Sequence, residues 1–373
     1  MRVLLLHNQI SPYRLPIFER LNEKFEVTVL FCEPRSPDRL WETEVIKRFN
    51  FQWRILKGKR IGKIILNNPI EIIEELKNSD VVVIAETVET IPSTVLALIL
   101  SRVLKKKVIL WTERIESPWI SHKFRGPKRI LKETYEKAIF FMSNIVAAYS
   151  KKSREHALKI GVSPGKLVEG IQIMPSEIFR SQEQDSAKSK IPIKDYNSKL
   201  IITYIGYLRE PKGVQVLIEA FKQIPYKNID LIIAGTGPYE QTLKEISKND
   251  KRIHFIGYIT GKRKTSVYTH SSIFVLPTFH DSWGLVINES LYYGVPLITT
   301  TAAAGSQIIQ QEKTGLVLPP GDINALRKAL EVLIENPKLI RKMKHVTMKI
   351  GKKYSNAELG ARHFFKAIQR LHE

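Results

Sequence analysis

Ile273-Phe274-Val275-Leu276-Pro277-Thr278-Phe279-His280-Asp281-Ser282-Trp283-Gly284-Leu285-Val286-Ile287-Asn288-Glu289 decides the fold class of this chain. Four apolar, partly β-branched residues read as a buried strand, and Pro277 stops its pairing. Ser282 is placed to cap a helix that begins at Trp283-Gly284 and runs to about Tyr293, where Gly294 and Pro296 end it. A strand that turns directly into a helix is the repeating unit of a parallel sheet with covering helices.

The same unit recurs on both sides of this stretch. In the second half, strands are expected at Leu200 to Ile205, Ile229 to Ala234, Arg252 to Ile256 and Pro296 to Thr300. In the first half they are expected at Val3 to Leu6, Val27 to Phe31, Val81 to Ala85, Val108 to Trp111 and Ile145 to Ala148. Helical periodicity lies between them, at Leu15 to Asn22, Pro69 to Lys77, Ser93 to Leu104 and Lys151 to Ile160. A chain of 373 residues with 43% hydrophobic content fits two such α/β domains. The polar stretch Ser181 to Ser198 carries the boundary, and Asn356 to Leu371 forms an amphipathic closing helix.

Composition narrows the function. Cys32 is the only cysteine, which excludes an intrachain disulfide and multi-cysteine metal sites and fits a reducing cytoplasm. No uncharged apolar run is long enough for a membrane span, and the apolar start is too short for a secretion signal. The net charge of +22 is spread over both halves. Its densest clusters are Lys105-Lys106-Lys107 and the segment with Lys123, Arg125, Lys128, Arg129 and Lys132. In the latter, Ile130, Leu131, Tyr135, Ala138 and Ile139 interleave as in a basic helix on an anionic membrane surface. The same pattern also suits an ordinary solvated helix. No recognition motif accompanies the charge, so a nucleic-acid partner is not expected.

In a doubly wound sheet the ligand lies beyond the carboxyl ends of the strands. The first such turn, His7-Asn8-Gln9-Ile10-Ser11-Pro12-Tyr13-Arg14, has no glycine, which argues against a dinucleotide fingerprint. Ser11, Tyr13 and Arg14 are candidates to face a substrate, or the turn only starts a helix. The corresponding turn of the second half, Gly206-Tyr207-Leu208-Arg209-Glu210-Pro211-Lys212-Gly213, precedes a helix and places Arg209 and Lys212 where they can meet a phosphate. Tyr258 is placed to flank a base. The helix start at Ser282, Trp283, Gly284 and Leu285 offers free N–H groups to a diphosphate. Glu289, two turns inside, can accept both vicinal hydroxyls of a ribose, and Asp281 can address a transferred sugar.

These residues resemble the retaining glycosyltransferases of family 4, the glycosyl transferases group 1, which have the GT-B fold. Asp281 and Glu289 are similar to the family's E-x7-E pair, Gly206 to Phe221 to its G-R-L-x-x-x-K-G turn and helix, and Ala234-Gly235-Thr236-Gly237-Pro238 and Phe255-Ile256-Gly257 to its next two strand ends. Ser290 to Pro296 resembles E-A-M-A-x-G-x-P, and Gly315 to Asp322 resembles G-x-L-V-x-P-G-D. The first half matches more weakly, through Ser11 to Phe18. Three positions depart from the pattern: Asp281 for the first glutamate, Tyr207 for the usual arginine, and Glu113 near a usual histidine.

The resemblance implies two Rossmann-like domains whose parallel sheets face across a cleft. It places an acceptor-binding domain at 1–190, a donor-binding domain at 191–355, and a helix at 356–373 that crosses back to the first domain. It implies transfer of a sugar from a nucleoside-diphosphate sugar to a glycan or lipid-linked acceptor hydroxyl, with retention. Asp281, Lys212, Arg209 and Glu113 would be catalytic; Gly206, Tyr258, Ser282 to Leu285 and Glu289 would bind the donor; Ser11, Tyr13 and Arg14 would face the acceptor. No D-x-D motif occurs, so neither metal nor other cofactor is expected. A sugar-nucleotide epimerase of the same fold and an inactive partner subunit are the alternatives.

Overall fold

The computed structural model describes residues 1–35, 43–121, 126–184 and 199–372, and these fall into two compact units. The first comprises Met1–Glu116, Ser121–Pro175 and Ala357–Glu373, and the second Ser117–Ile120 and Ser176–Asn356.

The first unit is built on a parallel sheet of seven strands: β1 (Arg2–Gln9), β2 (Glu26–Glu33), β3 (Gln52–Ile55), β6 (Val81–Ala85), β7 (Lys107–Thr112), β8 (Ile145–Ala148) and β9 (Leu167–Glu169). Between β3 and β6 a separate antiparallel hairpin joins β4 (Gly58–Ile61) to β5 (Ile64–Asn67). The strand order is β3-β2-β1-β6-β7-β8-β9, with β1 paired to β2 and β6 in parallel register. Side chains alternate across a strand, so β1 supplies two cores at once. Val3 and Leu5 join Phe18, Trp111, Ala361, Phe364 and Ile368 on one face. Leu4 and Leu6 join Ile72, Leu76, Ala97, Leu98 and Phe140 on the other. Both faces are covered, which is why the strand reads as a continuous apolar run. Full burial of each such side chain contributes roughly 1.5–3 kcal/mol.

The helix Ala357–Gln369 belongs to this first unit although it lies last in the chain. Its Phe364 ring meets Trp111 edge-on, with centroids 4.7 Å apart.

The second unit carries six parallel strands: β10 (Leu200–Ile205), β11 (Ile229–Ala234), β12 (Ile253–Gly257), β13 (Ile273–Leu276), β14 (Leu297–Thr300) and β15 (Gly315–Leu318). Their order is β12-β11-β10-β13-β14-β15, so the order reverses between β10 and β13, the switch point where ligands bind in such sheets.

One boundary differs from expectation. Helix Ser176–Gln184 lies with the second unit, not with the first as a division at 190 and 191 requires. Phe179 explains it: the ring is buried and stacks on Tyr292 at 3.8 Å and 12°. Most of the polar stretch Ser181 to Ser198, namely 185–198, lies outside the described residues.

Candidate active site

Two loops of the second unit are clasped together at the switch point. The first, 206–213, follows β10. Its backbone is fixed by Leu208 N–H to Thr236 C=O at 2.9 Å, Tyr239 N–H to Leu208 C=O at 3.0 Å and Lys212 N–H to Arg209 C=O at 3.0 Å. The second, 277–285, follows β13. Phe279 N–H donates to the Pro211 carbonyl at 2.8 Å and the Thr278 hydroxyl to the same oxygen at 2.9 Å. Gly213 stands at φ +69°, and a Cβ there would lie 2.0 Å from the Pro277 carbonyl oxygen. Only glycine tolerates both the left-handed backbone and that approach.

The clasp brings Lys212 to Asp281, Nζ to Oδ2 at 2.6 Å. The other carboxylate oxygen of Asp281 accepts the Trp283 N–H at 3.2 Å. Burial alone raises a carboxyl pKa, but Lys212 and the Trp283 N–H outweigh it and hold Asp281 below its ordinary value. The Asp281 backbone is fixed as well, through N–H to the Ala302 carbonyl and C=O from the Ala304 N–H. Asp281 is therefore held within the protein, as the partner of Lys212 and a brace for the turn.

The helix after this turn starts at Leu285 and ends at Tyr292. The N-cap position falls on Gly284 at φ +85°, two residues after the expected Ser282. Just before it, the Trp283 ring is buried and its indole N–H donates to Asn288 at 2.7 Å, and the left-handed position falls to glycine. Trp283 thus acts from inside the core. In the first turn the Ile287 N–H donates to the Gly284 carbonyl at 2.8 Å, and the N–H groups of Leu285 and Val286 lie at the positive end of the dipole.

Glu289 is 5% exposed. It accepts from Lys264 Nζ on Oε1 at 2.5 Å and from the Tyr268 hydroxyl on Oε2 at 2.8 Å. Neither partner is evident from the sequence of helix Gly261–His270, which reads as an ordinary charged helix. Lys264 and Tyr268 are four residues apart and share a face, and that spacing is the one signal that could have found them.

The remaining candidates are placed as follows. Arg209 is exposed and its guanidinium lies 4.5 Å from the centroid of the Tyr207 ring. Gly206 lies at the end of β10, and Tyr258, just after β12, is 42% exposed. Both belong to the same sheet edge as Lys212.

In the first unit, Ser11 and Arg14 are buried. Arg14 is not turned outward: its guanidinium lies among the rings of Tyr13, Trp111 and Tyr149, at 5.0, 4.2 and 4.7 Å from their centroids, and donates to Gln172 at 2.5 Å. Glu113 is exposed just after β7. Its neighbour Arg114 turns inward instead and forms a network that the sequence did not reveal. Arg114 bonds both oxygens of Glu86, at 2.7 and 2.9 Å, and reaches Glu136 at 2.7 Å. Burial would raise the Glu136 carboxyl, but His156, Arg114 and Lys132 bring it down to about 2. A carboxylate just after β6 and one from the middle of helix Pro127–Met142 meet here, and only the fold makes them neighbours.

Comparison with known proteins bears on this geometry. Residues 185–349 match the family described as glycosyl transferases group 1. Alpha-D-kanosaminyltransferase of Streptomyces kanamyceticus is 23% identical over 205 residues, 53% of each chain. The capsular polysaccharide biosynthesis glycosyltransferase CapM of Staphylococcus aureus is 27% identical over 155 residues, 40% of each chain. The chain thus spans about half or less of the length of these curated relatives. HepE of Anabaena, solved in complex with UDP and glucose, superposes with a TM-score of 0.75 at 13% identity, covering 99% of each chain. The fold, two α/β units each with a parallel sheet, is that of GT-B glycosyltransferases.

Proposed function

We propose that this chain, which belongs through residues 185–349 to the glycosyl transferases group 1 family, moves a sugar from a nucleoside-diphosphate sugar to a hydroxyl acceptor in glycan or glycolipid assembly. The observation that carries the reading is the clasp that sets Lys212 against Asp281 immediately before the start of helix Leu285–Tyr292. Preorganised positive charge beside free N–H groups suits a departing diphosphate. Glu289, buried about one turn along, accepts the ribose hydroxyls.

In the proposed reaction the bond from the anomeric carbon to the diphosphate oxygen breaks and one to the acceptor oxygen forms on the same face. The acceptor proton passes to the leaving diphosphate. Lys212, Arg209 and the helix start stabilise the charge that develops on that group, without a bound metal or other cofactor. Asp281 acts through Lys212, by holding the ammonium at the turn. HepE was solved with UDP and glucose, so UDP-sugars come first in a donor screen. The test is released nucleoside diphosphate: Lys212→Ala and Glu289→Ala should each lose turnover while remaining folded, and full activity in both would sink the reading.

The finer partner reading is an anionic membrane surface on the first unit. Helices Ile91–Val103 and Pro127–Met142 cover the same face of its sheet, with Leu98 and Phe140 in one core. Outward they expose Val103, Ile130 at 67% and Leu131 at 72%, beside exposed Lys128 and Arg129. Lys123 and Arg125 lie outside the described residues. Lys132 is drawn inward to Glu136 at 3.1 Å. Among the described residues no helix is long and apolar enough to cross a membrane, so the contact would be peripheral. Cosedimentation with phosphatidylglycerol vesicles at low salt, lost at high salt, supports this; no binding at low salt refutes it.

A further inference from the structure

We propose that Lys264 and Tyr268 are positioning residues that hold the Glu289 carboxylate so that it accepts two vicinal hydroxyls of one ribose at once. The inference rests on the nucleotide reading of Glu289 and adds residues which that reading does not contain.

A buried carboxylate has about four lone-pair sites and pays heavily for any left without a donor. Here each oxygen receives one bond from the protein: Oε1 from Lys264 at 2.5 Å and Oε2 from Tyr268 at 2.8 Å. One acceptor site per oxygen remains, and a pair of neighbouring hydroxyls matches that arrangement. A carboxylate free to rotate could satisfy one hydroxyl well and the other poorly; two donors on two different oxygens remove that freedom.

The donors are themselves fixed. The Tyr268 ring is fully buried and stacks on Tyr293 at 5.1 Å and 13°, and the Tyr293 hydroxyl lies 2.9 Å from that of Thr265. Burial, followed by the Glu289 charge, pushes the Tyr268 hydroxyl well above its ordinary pKa, so it stays a donor. The Lys264 side chain is 17% exposed and makes the cationic half of a nearly buried pair. Lys264, Thr265 and Tyr268 all come from helix Gly261–His270, so one rigid element sets the carboxylate geometry.

The test is equilibrium binding of UDP and GDP and of their 2′-deoxy counterparts, with no sugar or acceptor. Wild type should bind the better ribonucleotide more tightly than its deoxy form, by roughly tenfold for one charge-assisted hydrogen bond. Lys264→Met should remove most of that preference, weakening the ribonucleotide far more than the deoxynucleotide. Lys264→Arg should retain it, and Tyr268→Phe should reduce it. In the Glu289→Gln background, Lys264→Met should cause little further loss, since the two act as one unit.

A purely structural role lowers both nucleotides equally and leaves the ratio unchanged; that result overturns the proposal. If Lys264→Met does not fold, Lys264→Gln and Tyr268→Phe carry the same ratio test, and an unchanged ratio in both is equally fatal. If Glu289→Gln leaves the ratio at its wild-type value, or wild type binds none of the probes, the nucleotide reading of Glu289 fails and this inference with it. A lost ratio in Glu289→Gln beside an intact one in the Lys264 and Tyr268 variants removes the positioning role alone.

Discussion

Lys212 and Asp281, 69 residues apart in sequence, form an ion pair of 2.6 Å between the loops that follow β10 and β13. The two loops are tied to each other at the Pro211 carbonyl, which accepts from the Phe279 N–H and the Thr278 hydroxyl. Lys212→Ala should therefore lower turnover by about 10²–10³, the scale of losing one preorganised donor to a developing charge. Asp281→Asn should lower it less, because it loosens the cation without removing it. Release of nucleoside diphosphate from a donor, with melting curves as control, distinguishes the two.

The same pair sets an acid limit. The Asp281 pKa lies below the ordinary 3.8, so the stabilisation from its ionised form is fully present above 3.8 and is lost only as pH falls through the lower folded value. Turnover should show no acidic limb from Asp281 above about pH 4. A limb near pH 5 that disappears in Asp281→Asn would contradict this.

Two histidines of the first unit should make its stability sensitive to mild acid. Burial, then the nearby Arg14 charge, lowers His7 and His363 to about 3 from 6.5. Both are thus neutral in the fold, and their contribution is complete above pH 6.5 and falls as pH drops from 6.5 toward 3. At pH 5 each should cost about 2 kcal/mol relative to neutral pH. Chemical denaturation at pH 7 and pH 5 measures this, and His363→Phe should flatten the difference; equal stability at both pH values would refute it.

Gly213→Ala should damage the site without touching a charged group. The added Cβ would meet the Pro277 carbonyl oxygen and sit on a left-handed backbone, a strain of about 1–3 kcal/mol before the clash is counted. The expected result is a lower melting temperature and a loss of turnover. Unchanged turnover would mean that the clasp does not set the active geometry.

Cys32 lies on β2, is buried, and has its thiol pushed up to about 12, mainly by that burial. Ellman's reagent at pH 8 should find no reactive thiol in the native protein and one in denaturant. Rapid native reaction would show that the β2 core opens.

The parallel sheets were legible because both faces of strands such as β1 and β6 are buried, which writes an apolar run into the sequence. Lys212 and Asp281 lie in turns after β10 and β13, the places where a doubly wound sheet gathers its ligand contacts, which is why the sequence offers them as candidates. What stayed hidden depends on partners distant in sequence. Ser282 has the chemistry of a cap, yet the N-cap position falls on Gly284 beside the buried Trp283, which is bonded to Asn288. Arg14 suggests an outward cation, but three aromatic rings from separate elements enclose it. The short edge strand β3 and the hairpin of β4 and β5 bury too few side chains to leave a clear alternation.

Because Ala361, Phe364 and Ile368 complete the core around Trp111, the first unit cannot finish folding until the last helix has been synthesised. The second unit has no such wait, since nearly all of it is one continuous segment. During synthesis the first unit therefore waits for a segment that follows all of the second unit, and until then its Trp111 face should stay uncovered. A premature stop before Ala357 would accordingly yield a nascent chain whose defect lies at the opposite terminus from the lesion.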